Sequence, residues 1–236
     1  MRVLVVGGSG DVGRLMLTAL AQQHTLHVFD LQPPDNRDCE YIQGDVCDAA
    51  ALYNAAKGMD TLLYMAMGRK HDWESAETAA SAFDVSVKGL YLALRMAHTS
   101  GIRHTVYTSS MSIYDRPEHR YFPDEEISPD ATDFYGFTKW IGEEVCRNAA
   151  RSWGMSVNAL RLCLPMSDEQ WHVHTCTGTP TIATAASDAA RAVLAALTYQ
   201  AGFQTFMISG DYEHRIMNMT KAHQMLGWVP RCRPTL

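Results

Sequence analysis

The chain opens with Arg2-Val3-Leu4-Val5-Val6. It passes directly into Gly7-Gly8-Ser9-Gly10-Asp11-Val12-Gly13 and then into Arg14-Leu15-Met16-Leu17-Thr18-Ala19-Leu20. No other feature constrains the fold as much. A short β-branched strand, a tight glycine turn and a helix N-terminus aim bare backbone N–H groups, and the positive end of a helix dipole, at one point in space. Glycines permit the turn and the close approach of a pyrophosphate. A second strand follows at Leu26-His27-Val28-Phe29-Asp30, and that context separates a dinucleotide fingerprint from a structural glycine turn. Gly7, Gly8, Ser9, Gly10, Asp11, Val12 and Gly13 are therefore expected to cradle a dinucleotide.

Asp30 ends the second strand. A carboxylate there bonds the adenine-ribose hydroxyls and repels a 2′-phosphate. The residues after it, Leu31-Gln32-Pro33-Pro34, bring no cation, so NAD is expected rather than NADP. A strand-end aspartate that caps a turn also fits. Asp45, in Gly44-Asp45-Val46, ends a third strand; it is placed to reach the adenine amino group, and a plain turn aspartate fits nearly as well.

Strand and helix signals alternate beyond this point. Strands are expected at 2–6, 26–30, 40–44, 61–66, 104–109, 156–163 and 204–209, with helices at 12–23, 48–57, 76–99, 134–152, 187–199 and 219–226. Such alternation predicts an α/β fold, a Rossmann-type doubly wound parallel sheet with helices on both faces. Leu62-Leu63-Tyr64-Met65-Ala66 is apolar throughout, as a strand buried on both faces requires. Met65, Ala66 and Met67 would back a cofactor, and a plain core strand explains them as well. Two stretches break the rhythm, 111–133 with three prolines and 165–186 rich in Thr. Both would emerge at the carboxyl ends of the strands, where ligands bind, so both are candidate substrate walls.

Composition narrows the class. Hydrophobic residues make up 47% of 236, ample for a core, and the net charge of −6 comes without a basic block. Nucleic-acid binding therefore has no electrostatic support. A strand beginning at residue 2 leaves no room for a signal peptide, and no apolar stretch reaches membrane-spanning length. Six scattered cysteines without Cys-x-x-Cys read as reduced thiols in a cytoplasmic protein.

Tyr135 and Lys139 lie four residues apart, on one face of a helix. A phenol titrates near pH 10, and an ammonium beside it favours the phenolate. The pair is thus a candidate acid/base centre.

Together these pieces resemble the extended short-chain dehydrogenase/reductases, the NAD-dependent epimerase/dehydratase family. The resemblance is carried by the glycine segment, Gly44-Asp45-Val46, Asp84-Val85-Ser86-Val87-Lys88-Gly89, Tyr107-Thr108-Ser109-Ser110-Met111-Ser112-Ile113-Tyr114, Tyr135 with Lys139, Asp188-Ala189-Ala190-Arg191-Ala192, and Leu226-Gly227-Trp228-Val229-Pro230. It implies that Ser110 hydrogen-bonds the reacting substrate oxygen, that Tyr135 is the acid or base on that oxygen, and that Lys139 holds the nicotinamide ribose and lowers the tyrosine pKa. It implies NAD as cofactor and a sugar, nucleotide sugar or sugar acid as substrate. It also implies an NAD-binding domain over 1–164 that carries the catalytic residues, a small substrate lobe over 165–236 interleaved with the last sheet elements, and a homodimer through helices 76–99 and 134–152, with Leu90, Leu94, Ile141 and Val145 as candidate contacts. Packing on the sheet fits those four equally. A cofactor-sensing protein without catalysis is the alternative on this fold, but such proteins commonly lose the tyrosine or the lysine.

The chain departs from the pattern in three places. Ser86 stands where the family often has Asn. Met111 and Ser112 stand where dehydratases carry an Asp-Glu pair, which argues against expulsion of a β-hydroxyl. The part after Ser209-Gly210 is short, which points to a smaller substrate or a reduced nucleotide pocket. Among lesser signals, His172, His174 and Cys176 have zinc-ligand chemistry, but a polar pocket-lining loop fits them better and no metal is expected. His71, Asp72 and Trp73 follow the fourth strand and either touch substrate or begin a loop; Arg191 fits a helix surface as well as a site.

Overall fold

The computed structural model describes residues 1–68, 75–176 and 181–234. Its strands are β1 (Arg2–Val6), β2 (Thr25–Asp30), β3 (Glu40–Gln43), β4 (Thr61–Tyr64), β5 (His104–Ser110), β6 (Ser156–Leu162), β7 (Pro165–Met166), β8 (Thr184–Ala185) and β9 (Phe203–Ile208). Its α-helices are α1 (Asp11–Ala21), α2 (Ala49–Ala56), α3 (Ala76–Phe83), α4 (Leu90–Thr99), α5 (Phe134–Trp153), α6 (Asp168–Thr175), α7 (Ala186–Ala196) and α8 (Thr220–Leu226). Seven strands form one parallel sheet in the order β3-β2-β1-β4-β5-β6-β9. The chain runs outward from β1 through β2 to β3, then returns to lay β4 on the other side of β1. That reversal leaves a crevice at the carboxyl ends of β1 and β4, where a doubly wound sheet binds its ligand.

Alternation along each strand divides the core. Val3 and Val5 of β1 face one layer, with Met16 and Leu20 of α1, Val193 of α7 and Phe206 of β9. Leu4 and Val6 face the other, with Leu52 of α2, Leu90 and Leu94 of α4 and Cys146 of α5. Successive strand side chains point to opposite faces, so a strand covered on both must be apolar at every position, and the run Val3-Leu4-Val5-Val6 is.

Three expectations need correction. Helix 76–99 is helical throughout but not α-helical throughout: a π-helical turn, Asp84–Gly89, joins α3 to α4. Its wider backbone leaves the Val85 carbonyl to the Tyr64 hydroxyl, 2.5 Å away, and no side-chain periodicity announces it. The strand expected to reach residue 66 ends at Tyr64, which puts Met65, Ala66 and Met67 on the ligand edge rather than in the strand interior. The described residues of 165–186 are also less irregular than their composition suggests. α6 begins on a capping box, in which Ser167 Oγ accepts from Gln170 N and the Gln170 side chain accepts from Ser167 N. Trp171 anchors it, fully buried against Ala183 and Ala185 with its indole N–H donated to the Ala183 carbonyl at 2.8 Å. Leu90 and Leu94 are buried in the core, so they pack on the sheet and are not free to meet a partner.

Candidate active site

A cleft of about 280 Å³ lies over the crevice between β1 and β4. Gly7, Ser9, Gly10, Asp11, Val12 and Gly13 line it, with Asp30, Asp45, Val46, Met65, Ala66 and Met67. Gly7 has φ +83°, and a Cβ there would overlap the Ala66 backbone, so a side chain is excluded on both counts. A Cβ on Gly13 would overlap the Gly8 carbonyl; this contact seats α1 against the turn. Gly10 is the N-cap of α1 and brings no side-chain cap, so the first-turn N–H groups stay available to an anion. Gly8 alone among the seven turns away from the cleft, toward Val5 and Val28. The residues present therefore fit a dinucleotide diphosphate.

Asp30 caps the turn after its strand and also borders the cleft. It lines the cleft, and its carboxylate also accepts from Ser9 N at 3.0 Å and Gln32 N at 3.3 Å. The acid thus fastens the glycine turn to the end of β2. Ser9 Oγ donates to the Gln32 carbonyl at 2.7 Å and completes that seam. Asp45 likewise lines the cleft while accepting from Cys47 N at 2.8 Å. Arg14, which sequence reading passed over, is in the lining too, with its guanidinium against Asp35 at 3.2 Å.

Two strand positions away from β1, Ser110 ends β5 and caps the short helical turn Met111–Ile113, accepting from Ser112 N at 3.1 Å. Asp133 caps α5 by accepting from Gly136 N at 2.8 Å, which sets Tyr135 and Lys139 in the first two turns. The Ser110 hydroxyl faces the Tyr135 phenol and favours its charged form. Lys139 Nζ lies 5.8 Å from the Tyr135 ring centroid and 5.2 Å from that of Tyr107, and donates to the Thr108 carbonyl at 2.7 Å. Ser110, Tyr135 and Lys139 are thereby brought together from two elements.

The electrostatics refine what the spacing implied. Burial pushes the Tyr135 phenol above its ordinary value, and the Ser110 hydroxyl pulls it back. Burial lowers the Lys139 ammonium from 10.5 to about 8. The local aid to the phenolate is therefore the Ser110 hydroxyl, while the lysine is held on a carbonyl of β5. Desolvation opposes the lowering of the tyrosine pKa that the resemblance assigns to Lys139.

With this geometry in view, comparison with known proteins is decisive for the family. A model of the NAD dependent epimerase/dehydratase family matches residues 3–175. The chain belongs to that family. One family relative, N-acetyl-alpha-D-glucosaminyl-diphospho-ditrans,octacis-undecaprenol 4-epimerase of Escherichia coli O157:H7, is 32% identical over 151 residues, 61% of this chain and 42% of the epimerase. L-arabinose 1-dehydrogenase (NAD(P)(+)) of Haloferax volcanii is 28% identical over 178 residues, 68% of this chain and 66% of that enzyme. The chain thus spans about two fifths of the length of the first relative. A short-chain dehydrogenase/reductase superfamily protein from Agrobacterium tumefaciens, crystallised with bound NAD, superposes with a TM-score of 0.80 at 21% identity, covering 99% of this chain and 93% of that one. At that identity the likeness is one of fold.

Other family motifs acquire structural reasons. Asp188, buried, accepts from Arg231 N and Cys232 N and pairs with Arg191. Trp228 Nε1 donates to the Asp188 carbonyl at 2.9 Å, and Arg191 reaches the Val229 carbonyl at 3.1 Å. Arg191 and Asp188 thus tie down the Trp228-Val229-Pro230 segment. His174 Nε2 pairs with Thr181 Oγ1 and Cys176 Sγ donates to the Val173 carbonyl; among the described residues no three His, Cys, Asp or Glu side chains are grouped to hold a metal ion. His71, Asp72 and Trp73 lie outside the described residues. Sequence reading missed Leu164, which follows β6 in a left-handed conformation with φ +40° and is 61% exposed at the ligand edge. It also missed a buried Glu143–Arg161 ion pair beneath the tyrosine and lysine.

Proposed function

We propose that this chain is an NAD-dependent oxidoreductase or epimerase that moves a hydride to or from a secondary alcohol of a sugar, nucleotide sugar or sugar acid. The observation that carries the reading is the grouping of Ser110 and Tyr135 with Lys139 beside them, one strand across from the glycine cleft. NAD, when bound, accepts or returns the hydride of the carbinol carbon. Tyr135 Oη takes the alcohol proton, or gives it back in the reverse direction. Ser110 Oγ orients the reacting oxygen. Lys139 anchors the nicotinamide ribose and supplies positive charge near the phenol. Gly7 to Gly13 and the start of α1 hold the pyrophosphate, Asp30 the adenine ribose, and Asp45 and Val46 the adenine, with Met65, Ala66 and Met67 behind the cofactor.

The acids at the adenosine end favour NAD over NADP, because a 2′-phosphate would meet the Asp30 carboxylate. All three reacting side chains are present, which favours catalysis over a cofactor-sensing role. Residues 111–133 and 165–186 form the substrate walls in this reading, with 1–164 binding NAD and 165–236 serving as the smaller lobe. The work is done in the cytoplasm, and a homodimer forms through α3, α4 and α5. Phe83, Tyr91 and Phe137 stand exposed there, with Phe83 edge-on to Phe134 at 5.4 Å and Tyr91 edge-on to Trp153 at 5.6 Å. No helix among the described residues is long and apolar enough to cross a membrane.

The test is to denature purified protein and quantify the nicotinamide cofactor released, with its redox state. Near-stoichiometric, non-dialysable NAD is the result for an epimerase that recycles its cofactor, and reversible binding of added NAD is the result for a dehydrogenase. Protein that neither carries nor binds NAD would overturn the proposal.

A further inference from the structure

Three consecutive residues of β5 meet one face of α5. The Thr108 carbonyl accepts from Lys139 Nζ, the Ser109 hydroxyl donates to Glu143 Oε1 at 2.6 Å, and the Ser110 hydroxyl faces the Tyr135 phenol. Tyr135, Lys139 and Glu143 are spaced i, i+4, i+8, successive turns of one helix face. Two glycines on α5 let it press on β5: a Cβ on Gly136 would overlap the Ser112 carbonyl, and one on Gly142 the Tyr107 hydroxyl. Glu143 is 1% exposed and is gripped from β6 by Arg161, Nε to Oε1 at 2.9 Å and Nη2 to Oε2 at 2.8 Å. Arg161 is fixed in turn by the Tyr114 hydroxyl at 2.7 Å and the Glu125 carbonyl at 2.8 Å.

A buried ion pair is a costly way to pack a helix on a sheet, since apolar residues of the same volume do as well or better. The arrangement therefore calls for a further use of the carboxylate. We propose that Glu143, held by Arg161 and Ser109, is a positioning residue for the Tyr135–Lys139 centre, its carboxylate serving as the buried counter-ion that keeps Lys139 an ammonium on the Thr108 carbonyl. The inference rests on the enzymatic reading above.

Among the described residues, few groups face Lys139. Tyr135, Glu143 and Cys146 face it from α5 and Tyr107 from β5, with Tyr64 of β4 behind Tyr107 and Arg161 beyond Glu143. Asp133 acts on Tyr135 from the cap of α5. Burial holds the Cys146 thiol and the Tyr64 and Tyr107 phenols well above their ordinary values, so all three are neutral at physiological pH. Glu143 is left as the anion that opposes desolvation of the lysine.

The test is isotope-edited NMR of lysine Cε, with the Lys139 signal assigned from Lys139→Met and followed across the alkaline range. Wild type should titrate near 8. Glu143→Gln should lower the midpoint by about one pH unit. Should that variant fail to fold with Arg161 left unpaired, the double variant Glu143→Met with Arg161→Met leaves no unpaired guanidinium and should show a smaller shift in the same downward direction, because the Arg161 cation is lost with the anion. An unmoved midpoint in the folded variant would overturn the proposal, because a role confined to packing leaves lysine titration alone. The measurement needs neither cofactor nor substrate, so its failure is separable from failure of the hydride chemistry. In turnover, Glu143→Gln should retain NAD affinity while the alkaline limb of its pH profile moves toward neutrality; a limb that stays in place would also count against the proposal.

Discussion

Lys139 is predicted to cost the protein stability in return for its chemistry, and Lys139→Met exposes that cost. Lys139 is 4% exposed, so solvent screening takes little from the effect. Its folded value is about 8 against 10.5 for a free lysine, a drop of some two and a half pH units. At 1.36 kcal/mol per unit, holding the charge in the fold costs about 3 kcal/mol at neutral pH. The hydrogen bond to the Thr108 carbonyl returns about 1 kcal/mol that methionine would forfeit. The variant should therefore be more stable than wild type by about 2 kcal/mol at neutral pH. The sign with pH follows from the depressed value. Below about 8 both states of wild type hold the proton and the full penalty applies. Between about 8 and 10.5 the folded state has released the proton while the unfolded state still binds it. Wild type then gains on the variant at about 1.4 kcal/mol per pH unit. Urea unfolding of both proteins, at neutral pH and above pH 10.5, reads the difference directly. A stability difference that does not change with pH would refute the reasoning, as would a variant less stable than wild type at neutral pH.

Two further outcomes follow from the cleft. Gly13→Ala forces a methyl group onto the Gly8 carbonyl and should cost about 1–3 kcal/mol in thermal unfolding, together with a weaker NAD titration. Asp30→Ser removes the charge that meets a 2′-phosphate while leaving an oxygen to accept from Ser9 N, and should shift the NAD-to-NADP affinity ratio by about tenfold toward NADP; an unchanged ratio in equilibrium binding would mean that Asp30 serves the turn alone.

Much of the frame was legible because periodicity and glycine placement are local signals. Val3-Leu4-Val5-Val6 leading into Gly7 carries the strand, turn and helix start in one stretch, and the cleft lined by Gly7, Ser9 to Gly13, Asp30, Asp45 and Met65 to Met67 follows from it. Ser110, Tyr135 and Lys139 were readable as a set only through their resemblance to a family, since the contact between β5 and α5 is long-range. The π-helical turn at Asp84–Gly89 was hidden: it inserts one residue into a helical pattern without changing residue types. The Glu143–Arg161 pair was hidden for a different reason. A glutamate on a polar helix and an arginine in a strand read as surface groups until the sheet order brings β6 beside β5. Trp171 was likewise concealed, because its burial depends on Ala183 and Ala185 across a stretch with the composition of a loop. Leu90 and Leu94 had two possible destinations, and only three-dimensional packing sent them to the core.

The most direct measurement of the central claim compares wild type with Tyr135→Phe. Each is given NAD and a panel of sugars, sugar acids and nucleotide sugars, with reduced nicotinamide followed by absorbance, product epimers by chromatography, and NAD affinity in parallel. The account predicts wild-type turnover on at least one of these alcohols, loss of roughly a hundredfold or more in the variant, and nearly equal NAD affinity. A Tyr135→Phe protein that binds NAD and turns over like wild type would contradict it.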